Sequence, residues 1–184
     1  FMPLCYGGGV SSLKQMNRLF SLGIEKIAMN NATLTNMDLV KAASTEFGSQ
    51  SIIASVNLKR GFIRRNTIFI FDYLHMCSTK LAPTQFIESL EAAGVGELLV
   101  TSVDQDGMLS GYEIEAIRLL STAAQIPLIA MGGAGNLDHV KQLFANTEAS
   151  AAAAGSMFVF QGPHKAVLIQ YPEEFQVAEI FHAE

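Results

Sequence analysis

Apolar residues along the chain follow two alternating patterns. Short apolar runs recur at positions 2–6, 26–29, 51–56, 98–103, 127–131 and 151–154. Between them, apolar residues recur every three or four positions at about 12–23, 37–47, 83–93, 113–124 and 137–145. Ser12 followed by Gln15 is a capping box that predicts a helix start, and Gly23, Gly48 and Gly94 predict helix ends. Strands that alternate with helices predict parallel βα units.

One stretch of the sequence occurs twice. Residues 2–9 (MPLCYGGG) resemble residues 126–133 (IPLIAMGG) at an offset of 124 residues, and the match continues to residues 30–31 and 154–155. Solenoid repeats have periods of about 20 to 50 residues, so a repeat of this length indicates that half of a domain was duplicated. A duplicated half of four βα units predicts an α/β fold of the TIM type, the (β/α)8 barrel.

The chain is shorter than such a barrel. A TIM-type barrel typically needs about 250 residues, whereas 184 residues hold only about six βα units. By the repeat offset, the first half would begin about 75 residues before Phe1. We therefore expect residues 1–184 to form one partial barrel domain, the last three quarters of a barrel without its first two strands.

Residues 61–79 depart from the alternating pattern. Residues 62–65 and 67–73 predict a small hairpin inserted after a barrel strand. Insertions of this kind lie on the face of a barrel that carries the catalytic loops.

Composition narrows the class of protein. Hydrophobic residues make up 49% of the chain and charged residues 16%, which is typical of a barrel whose strands are buried on both faces. The net charge of −5, without a basic cluster, argues against nucleic-acid binding. No apolar run approaches the roughly 18 residues of a membrane helix, and no signal peptide opens the chain. These features predict a cytoplasmic protein without a membrane partner.

Metal and cofactor chemistry have no support in the sequence. The two cysteines, Cys5 and Cys77, and the four histidines show no metal-ligand spacing. We therefore predict neither a metal site nor a cofactor.

Two glycine-rich turns each follow a predicted strand. They comprise residues 7–9 and residues 132–135. The backbone amides of such turns can point at an anion, although glycine also serves simply to make a tight βα turn. Two turns at matched positions, each followed by a strand that ends in Asn30-Asn31 or Gly155-Ser156, favour two phosphate sites. Barrels often build a phosphate site from the loops after their last two strands.

Polar residues at other strand ends give further candidates. Asp104 and Asp106 would face the same way on an extended segment and could form an acid/base or hydroxyl-holding pair, but an Asp-Gly turn is the stronger alternative for this motif alone. Asn57 can hydrogen-bond a substrate but cannot accept a proton as a base. Lys26 and Glu97 precede their strands and so lie toward the opposite face, where a structural ion pair or an interface is expected.

Five segments, taken in order, resemble the cyclase subunit of imidazole glycerol phosphate synthase, the HisF-type family. They are residues 6–10 (YGGGV), 47–50 (FGSQ), 101–107 (TSVDQDG), 111–113 (GYE) and 132–136 (GGAGN). Members of that family are β/α barrels that receive ammonia from a glutaminase (HisH-like) subunit. They use this ammonia on a bisphosphorylated ribonucleotide, in a lyase-type cyclisation.

The resemblance implies positions for the functional residues. It places one phosphate site at Gly8, Gly9, Asn30 and Asn31. It places the other at Gly107, Gly133, Gly155 and Ser156, to which the glycine turn adds Gly132. It also implies an ammonia gate at the partner-facing end that includes Lys26 and Glu97. Catalytic candidates are Asn57, Asp104 and Asp106.

The sequence departs from the family at the reacting positions. The family's first catalytic aspartate would lie in the missing region, and its second corresponds to Asn57, where an amide removes the general base. Met131 replaces a family serine, and Asn31 replaces a family threonine. The phosphate turns persist while the chemistry around them changes, which favours a paralogue.

Residues 1–9, 155–160, 164–169 and 171–172 are closer to one branch of the family, associated with amidation of sugars in surface polysaccharide such as lipopolysaccharide O-antigen. The leading interpretation is a cyclase-like barrel that works with a glutaminase subunit on a phosphorylated or nucleotide-linked sugar. One alternative is the cyclase of histidine biosynthesis. Another is a non-catalytic barrel that only binds phosphate or conducts ammonia.

Overall fold

The computed structural model describes residues 2–61, 67–162 and 166–181. The strands are β1 (Cys5–Gly7), β2 (Lys26–Met29), β3 (Ile52–Arg60), β4 (Ile68–Asp72), β5 (Cys77–Ser78), β6 (Glu97–Ser102), β7 (Leu128–Met131), β8 (Ala151–Ala153), β9 (Phe160–Gln161) and β10 (Ala166–Val167). The helices are α1 (Leu13–Ser21), α2 (Asn31–Thr35), α3 (Met37–Phe47), α4 (Pro83–Ala92), α5 (Ile114–Ala123), α6 (Leu137–Asn146), α7 (Ser156–Val159) and α8 (Glu174–Phe181), with a 3-10 turn at Ser49–Ser51.

Six parallel strands form a curled sheet in the order β1-β2-β3-β6-β7-β8. Helices alternate with these strands along the chain, which confirms the predicted α/β fold and the partial barrel of six βα units. Within the described residues, β1 and β8 each pair with only one parallel strand, so both are edge strands. None of the described helices is both long and apolar enough to cross a membrane.

The sequence repeat reappears as a structural repeat. Helix α1 begins at Leu13 and helix α6 begins at Leu137, at the offset that the sequence shows. Both helices have an N-cap side chain that accepts a hydrogen bond from the N–H three residues later, 3.3 Å at Ser12 and 2.9 Å at Asn136. In the predicted capping box, the Gln15 side chain would accept a hydrogen bond from the N–H of Ser12. In the structure, Gln15 Oε1 accepts from the N–H of Ser11 instead, one residue earlier.

The main core lies between the sheet and the surrounding helices. Strand residues that point outward and helix residues that point inward are almost fully buried, and each such side chain contributes about 1.5–3 kcal/mol of transfer free energy. They include Ile27, Ile52, Leu98, Leu128, Leu90, Ile117, Leu120 and Leu143. This packing holds the strand ends in fixed positions relative to one another.

Strand β3 continues beyond its parallel neighbours and carries a hairpin. Residues Leu58–Arg60 pair antiparallel with residues 68–70 of β4, and the far end of β4 pairs with β5. The second predicted arm, residues 67–73, contains β4, whose described partners are the end of β3 and β5. The first predicted arm, residues 62–65, lies outside the described residues.

Replacing Gly133 by alanine tests the tight packing of the second glycine turn. Gly133 has φ +103°, and an added Cβ would overlap the carbonyl oxygen of Gly111. We expect Gly133→Ala to lower the free energy of unfolding by about 3 kcal/mol, measured by urea titration. Gly155→Ala is the matched control, because its Cβ would meet nothing within 4 Å. Equal stability of the two variants would contradict the packing described here.

Candidate functional site

Two cavities open at the carboxyl ends of the parallel strands. The larger, about 470 Å³, is lined by the first glycine turn and by Asn30, Asn31 and Asn57. The smaller, about 170 Å³, is lined by residues 132–134 and 153–156. Asp106 and Met131 line both. The two cavities are therefore neighbours, with Asp106 between the two glycine turns.

The first glycine turn is open to the larger cavity. Gly8 and Gly9 have φ angles of +143° and +64°, and a Cβ on Gly9 would meet nothing within 4 Å. The glycines here supply a backbone conformation that other residues rarely adopt, without any close approach of neighbouring chain. None of the backbone hydrogen bonds between described residues uses the N–H of Gly9. That amide is available to a ligand in the cavity.

The second turn uses glycine differently. A Cβ on Gly132 would lie 2.7 Å from the carbonyl oxygen of Ser102, and Gly133 packs directly against Gly111, whose N–H donates to the Gly133 carbonyl at 2.8 Å. Close backbone packing therefore accounts for these two glycines. Backbone amides near this turn nevertheless remain unpaired. The described backbone hydrogen bonds do not use the N–H of Gly133, Gly155 or Ser156.

Asn30 and Asn31 lie where β2 meets α2. The Asn30 amide donates to the Ser55 carbonyl at 2.7 Å, and the Asn30 carbonyl accepts from Thr33. These bonds fix the end of β2 at the wall of the larger cavity. Asn31 is the first residue of α2, so its backbone N–H belongs to the unpaired first turn of that helix.

The loop after β6 separates the two candidate carboxylates. The sequence predicts an extended segment, but residues 103–108 form a turn, so Asp104 and Asp106 do not face the same way. Asp104 accepts a hydrogen bond from the backbone N–H of Arg60 at 2.8 Å, which ties the loop to β3. Asp106 lines both cavities, and Gly107 lines the smaller one. Only Asp106 is placed to meet a ligand between the two glycine turns.

An ion pair that sequence reasoning did not find braces this loop. The Arg60 guanidinium donates to both carboxylate oxygens of Glu113, at 2.7 Å for Nε, and contacts Glu115 at 3.3 Å. Glu113 is 8% exposed, and its hydrogen bond raises the pKa of Arg60. The two residues are far apart in sequence, and no spacing rule connects them. The pair joins the end of β3 to the start of α5.

A row of side chains crosses the floor of the larger cavity. The strand register places Asn57, Thr101, Met131 and Ala153 opposite one another on four neighbouring strands. Asn57 and Thr101 are 7% and 8% exposed and line the cavity. None of the side-chain hydrogen bonds between described residues involves either of them. Both side chains line the open cavity, where their polar atoms can hydrogen-bond to a ligand.

Lys26 and Glu97 meet at the opposite end of the strands. They form an ion pair across the intervening strand β3. Glu97, Leu99 and Thr101 alternate along β6 and so share one face, which places the ion pair about 13 Å below Thr101. Cys5 pairs with Lys26 in register, and burial raises the pKa of its thiol. A layer of charged side chains thus lies beneath the floor of the cavity.

Tyr112 links the loop after β6 to the end of β8. Its hydroxyl donates to the Ala153 carbonyl at 3.0 Å, and burial raises its pKa to about 12. Sequence reasoning missed Tyr73, which follows β4 and lines the larger cavity. No group of three or more histidine, cysteine, aspartate or glutamate side chains among the described residues is arranged to hold a metal ion.

This arrangement defines a protein of the β/α-barrel type with two glycine-rich turns at the carboxyl ends of its strands. Residues 1–164 match the family described as histidine biosynthesis protein. A Pseudomonas aeruginosa protein provisionally named imidazole glycerol phosphate synthase subunit hisF2 is 40% identical over 173 residues, which are 94% of this chain and 68% of that protein. The chain belongs to the histidine biosynthesis protein family and is HisF-like.

Two further relatives show the range of similarity. A Leptospira borgpetersenii protein provisionally named imidazole glycerol phosphate synthase subunit HisF is 38% identical over 93% of this chain and 67% of its own length. The imidazole glycerol phosphate synthase subunit HisF of Staphylococcus carnosus is 39% identical over 86% of this chain and 62% of its own length. The chain therefore spans about two thirds of the length of these relatives.

The buried Tyr112 hydroxyl predicts a loss of stability in alkali. The folded pKa of about 12 lies above the ordinary value of about 10, so the unfolded chain ionises first. The free energy of unfolding should therefore be retained below pH 10 and fall between about pH 10 and 12. Tyr112→Phe should weaken this fall in urea titrations across that range. Tyr171→Phe, at an exposed tyrosine, is the control, and an unchanged slope in Tyr112→Phe would contradict the assignment.

Proposed function

We propose that this chain is the cyclase-type barrel of an ammonia-using system and acts on a phosphorylated sugar compound with a glutaminase partner. The observation that carries the proposal is the pair of cavities that meet at Asp106, each bounded by a glycine turn with unpaired amides. Unpaired amides favour anions, and two such turns favour a substrate with an anionic group at each end.

The proposed phosphate sites follow the two turns. One comprises Gly8, Gly9, Asn30 and Asn31 at the larger cavity. The other comprises Gly107, Gly132, Gly133, Gly155 and Ser156 at the smaller cavity. None of the described residues that line either cavity is a lysine or an arginine, so among them the backbone amides supply the attraction. Such sites depend on the backbone conformation more than on side-chain charge.

Asn57 determines which reaction the barrel supports. Its amide faces the larger cavity and can hold a substrate group through hydrogen bonds, but it cannot remove a proton. Asp106 is the carboxylate that remains beside the cavity, while Asp104 is engaged by Arg60. This balance favours a paralogue of the sugar-amidation branch, which works with a glutaminase subunit on a phosphorylated or nucleotide-linked sugar. The histidine-pathway cyclase is the second candidate, supported by relatives that carry that name.

The Lys26–Glu97 pair marks the proposed entry for ammonia. It lies at the end of the strands opposite the two cavities, on the face that continues up to Leu99 and Thr101. An ion pair at this position can close the route to water when no partner is bound. A glutaminase subunit docked at that end would deliver ammonia through the strand interior to the cavity.

Charge at Gly155 tests the second phosphate site. Its Cβ would enter open space, so both Gly155→Asp and Gly155→Asn should fold. We expect Gly155→Asp to weaken binding of inorganic phosphate at least about tenfold relative to Gly155→Asn, because the two differ only in the carboxylate charge. Calorimetric titration of both variants and of the unaltered protein measures this. Equal affinities would remove the site from the proposal.

Restoring a carboxylate at position 57 separates the two candidate functions. In the protein that contains this chain, we expect Asn57→Asp to give no ammonia-dependent turnover of the bisphosphorylated ribonucleotide, because the two turns bind it only as an analogue of the paralogue's own phosphorylated substrate. A gain on the order of 100-fold would instead identify a histidine-type cyclase that lost its base. Asn57→Ala is the control for a change of side chain alone.

A further inference from the structure

The turn between β4 and β5 stands at the rim of the larger cavity. Residues 73–76 connect the two strands, and Tyr73 is the residue of this turn that lines the cavity together with Asn57 and Asp106. The Tyr73 side chain is 44% exposed, so one part of the ring is covered while another faces open space. The hairpin thereby brings an aromatic side chain to a site otherwise built from strand ends.

A set of short contacts fixes this turn. Asp72 is 9% exposed, and its Oδ1 accepts from the N–H of Leu74 at 2.8 Å and of His75 at 3.2 Å. The other oxygen of Asp72 lies 2.7 Å from His75 Nδ1, and this hydrogen bond lowers the pKa of Asp72. The Asp72 carboxylate therefore holds the turn through its hydrogen bonds to Leu74 and His75, as in an Asx turn.

The Tyr73 ring is also held from the side. It meets the Phe71 ring edge-on, with centroids 5.1 Å apart at 90°. The Lys59 ammonium lies 4.7 Å from the centre of the Phe71 ring. Edge-to-face pairs of this geometry contribute about 0.5–1.5 kcal/mol beyond the buried area. The ring orientation is thus set before any ligand binds.

The phenol of Tyr73 lies in an acidic surrounding. Burial, and then the carboxylates of Asp106 and Asp104, raise its pKa. A phenol in this setting keeps its proton and donates hydrogen bonds. Among the described residues that line the larger cavity, Tyr73 is the only phenol and Asp106 the only carboxylate. The same cavity therefore offers a donor at Tyr73 and an acceptor at Asp106, together with Asn57 and Thr101.

We propose that Tyr73 is a substrate-contacting residue whose hydroxyl donates a hydrogen bond to the part of the substrate between its two anionic groups, and that Asp72 is its positioning residue. The inference rests on the proposed function, because it assumes a substrate that spans both cavities. It adds a specificity element, since the donor selects sugar compounds with an oxygen acceptor at that point over compounds without one.

Binding of two probes tests the proposal. In the unaltered protein and in Tyr73→Phe, calorimetry measures the affinity for the bisphosphorylated ribonucleotide and for inorganic phosphate. Tyr73→Phe should weaken ribonucleotide binding about tenfold and leave phosphate binding unchanged, because only the hydroxyl is lost. Tyr171→Phe, at an exposed tyrosine outside the cavity, should change neither affinity.

A double-mutant cycle tests the positioning role. Asp72→Ala should weaken ribonucleotide binding by a similar factor, and adding it to Tyr73→Phe should cause little further loss, because both changes remove one interaction. Asp72→Asn, which keeps the Oδ1 acceptor, should retain most of the affinity. Fully multiplicative effects of Asp72→Ala and Tyr73→Phe would overturn that role.

The inference and the proposed function fail in distinguishable ways. Equal ribonucleotide affinity of Tyr73→Phe and the unaltered protein overturns the role of Tyr73. If inorganic phosphate still binds in that experiment, the proposed phosphate turns survive. An unaltered protein that binds neither probe contradicts both.

Discussion

The backbone hydrogen bonds between parallel strands fix the register on which the site depends. They set Asn57, Thr101, Met131 and Ala153 in one row across β3, β6, β7 and β8. Because all six strands run in the same direction, their carboxyl ends and the turns that follow them meet at one edge of the curled sheet. The core of branched aliphatic side chains keeps this register in place. A slip of one residue would move the polar row to the face that packs on the helices.

The loops then divide structural from ligand-facing roles. Arg60 donates hydrogen bonds to Asp104 through its backbone N–H and to Glu113 through its guanidinium. These bonds hold the loop after β6. This leaves Asp106 at the junction of the two cavities. The two glycine turns differ in the same sense. Gly9 faces open space, whereas Gly133 packs on Gly111. In the proposed function, backbone amides therefore bind the anions, and a few side chains between the two turns contact the rest of the substrate.

Much of the fold was predictable from two signals in the sequence. Hydrophobic periodicity indicates the individual helices and strands, and the 124-residue repeat indicates a duplicated half-barrel. The six strand segments and the capped start of α1 follow from them directly. Asp106 and Asn57 were predictable as strand-end residues. The separation of Asp104 from Asp106 was not, because it depends on a turn stabilised by Arg60 from a distant strand. Tyr73 and the Arg60–Glu113 pair were missed for the same reason, since contacts between remote segments leave no periodic signal.

A crystal structure with the bisphosphorylated ribonucleotide bound would test the central claim most directly. Our account predicts one phosphate against the turn that contains Gly8 and Gly9 and the other against the turns that contain Gly133 and Gly155, with the sugar portion passing Asp106. The row of Asn57 and Thr101 should lie beneath the middle of the ligand. Density for both phosphates in a single turn, or for a ligand bound outside the two cavities, would contradict it.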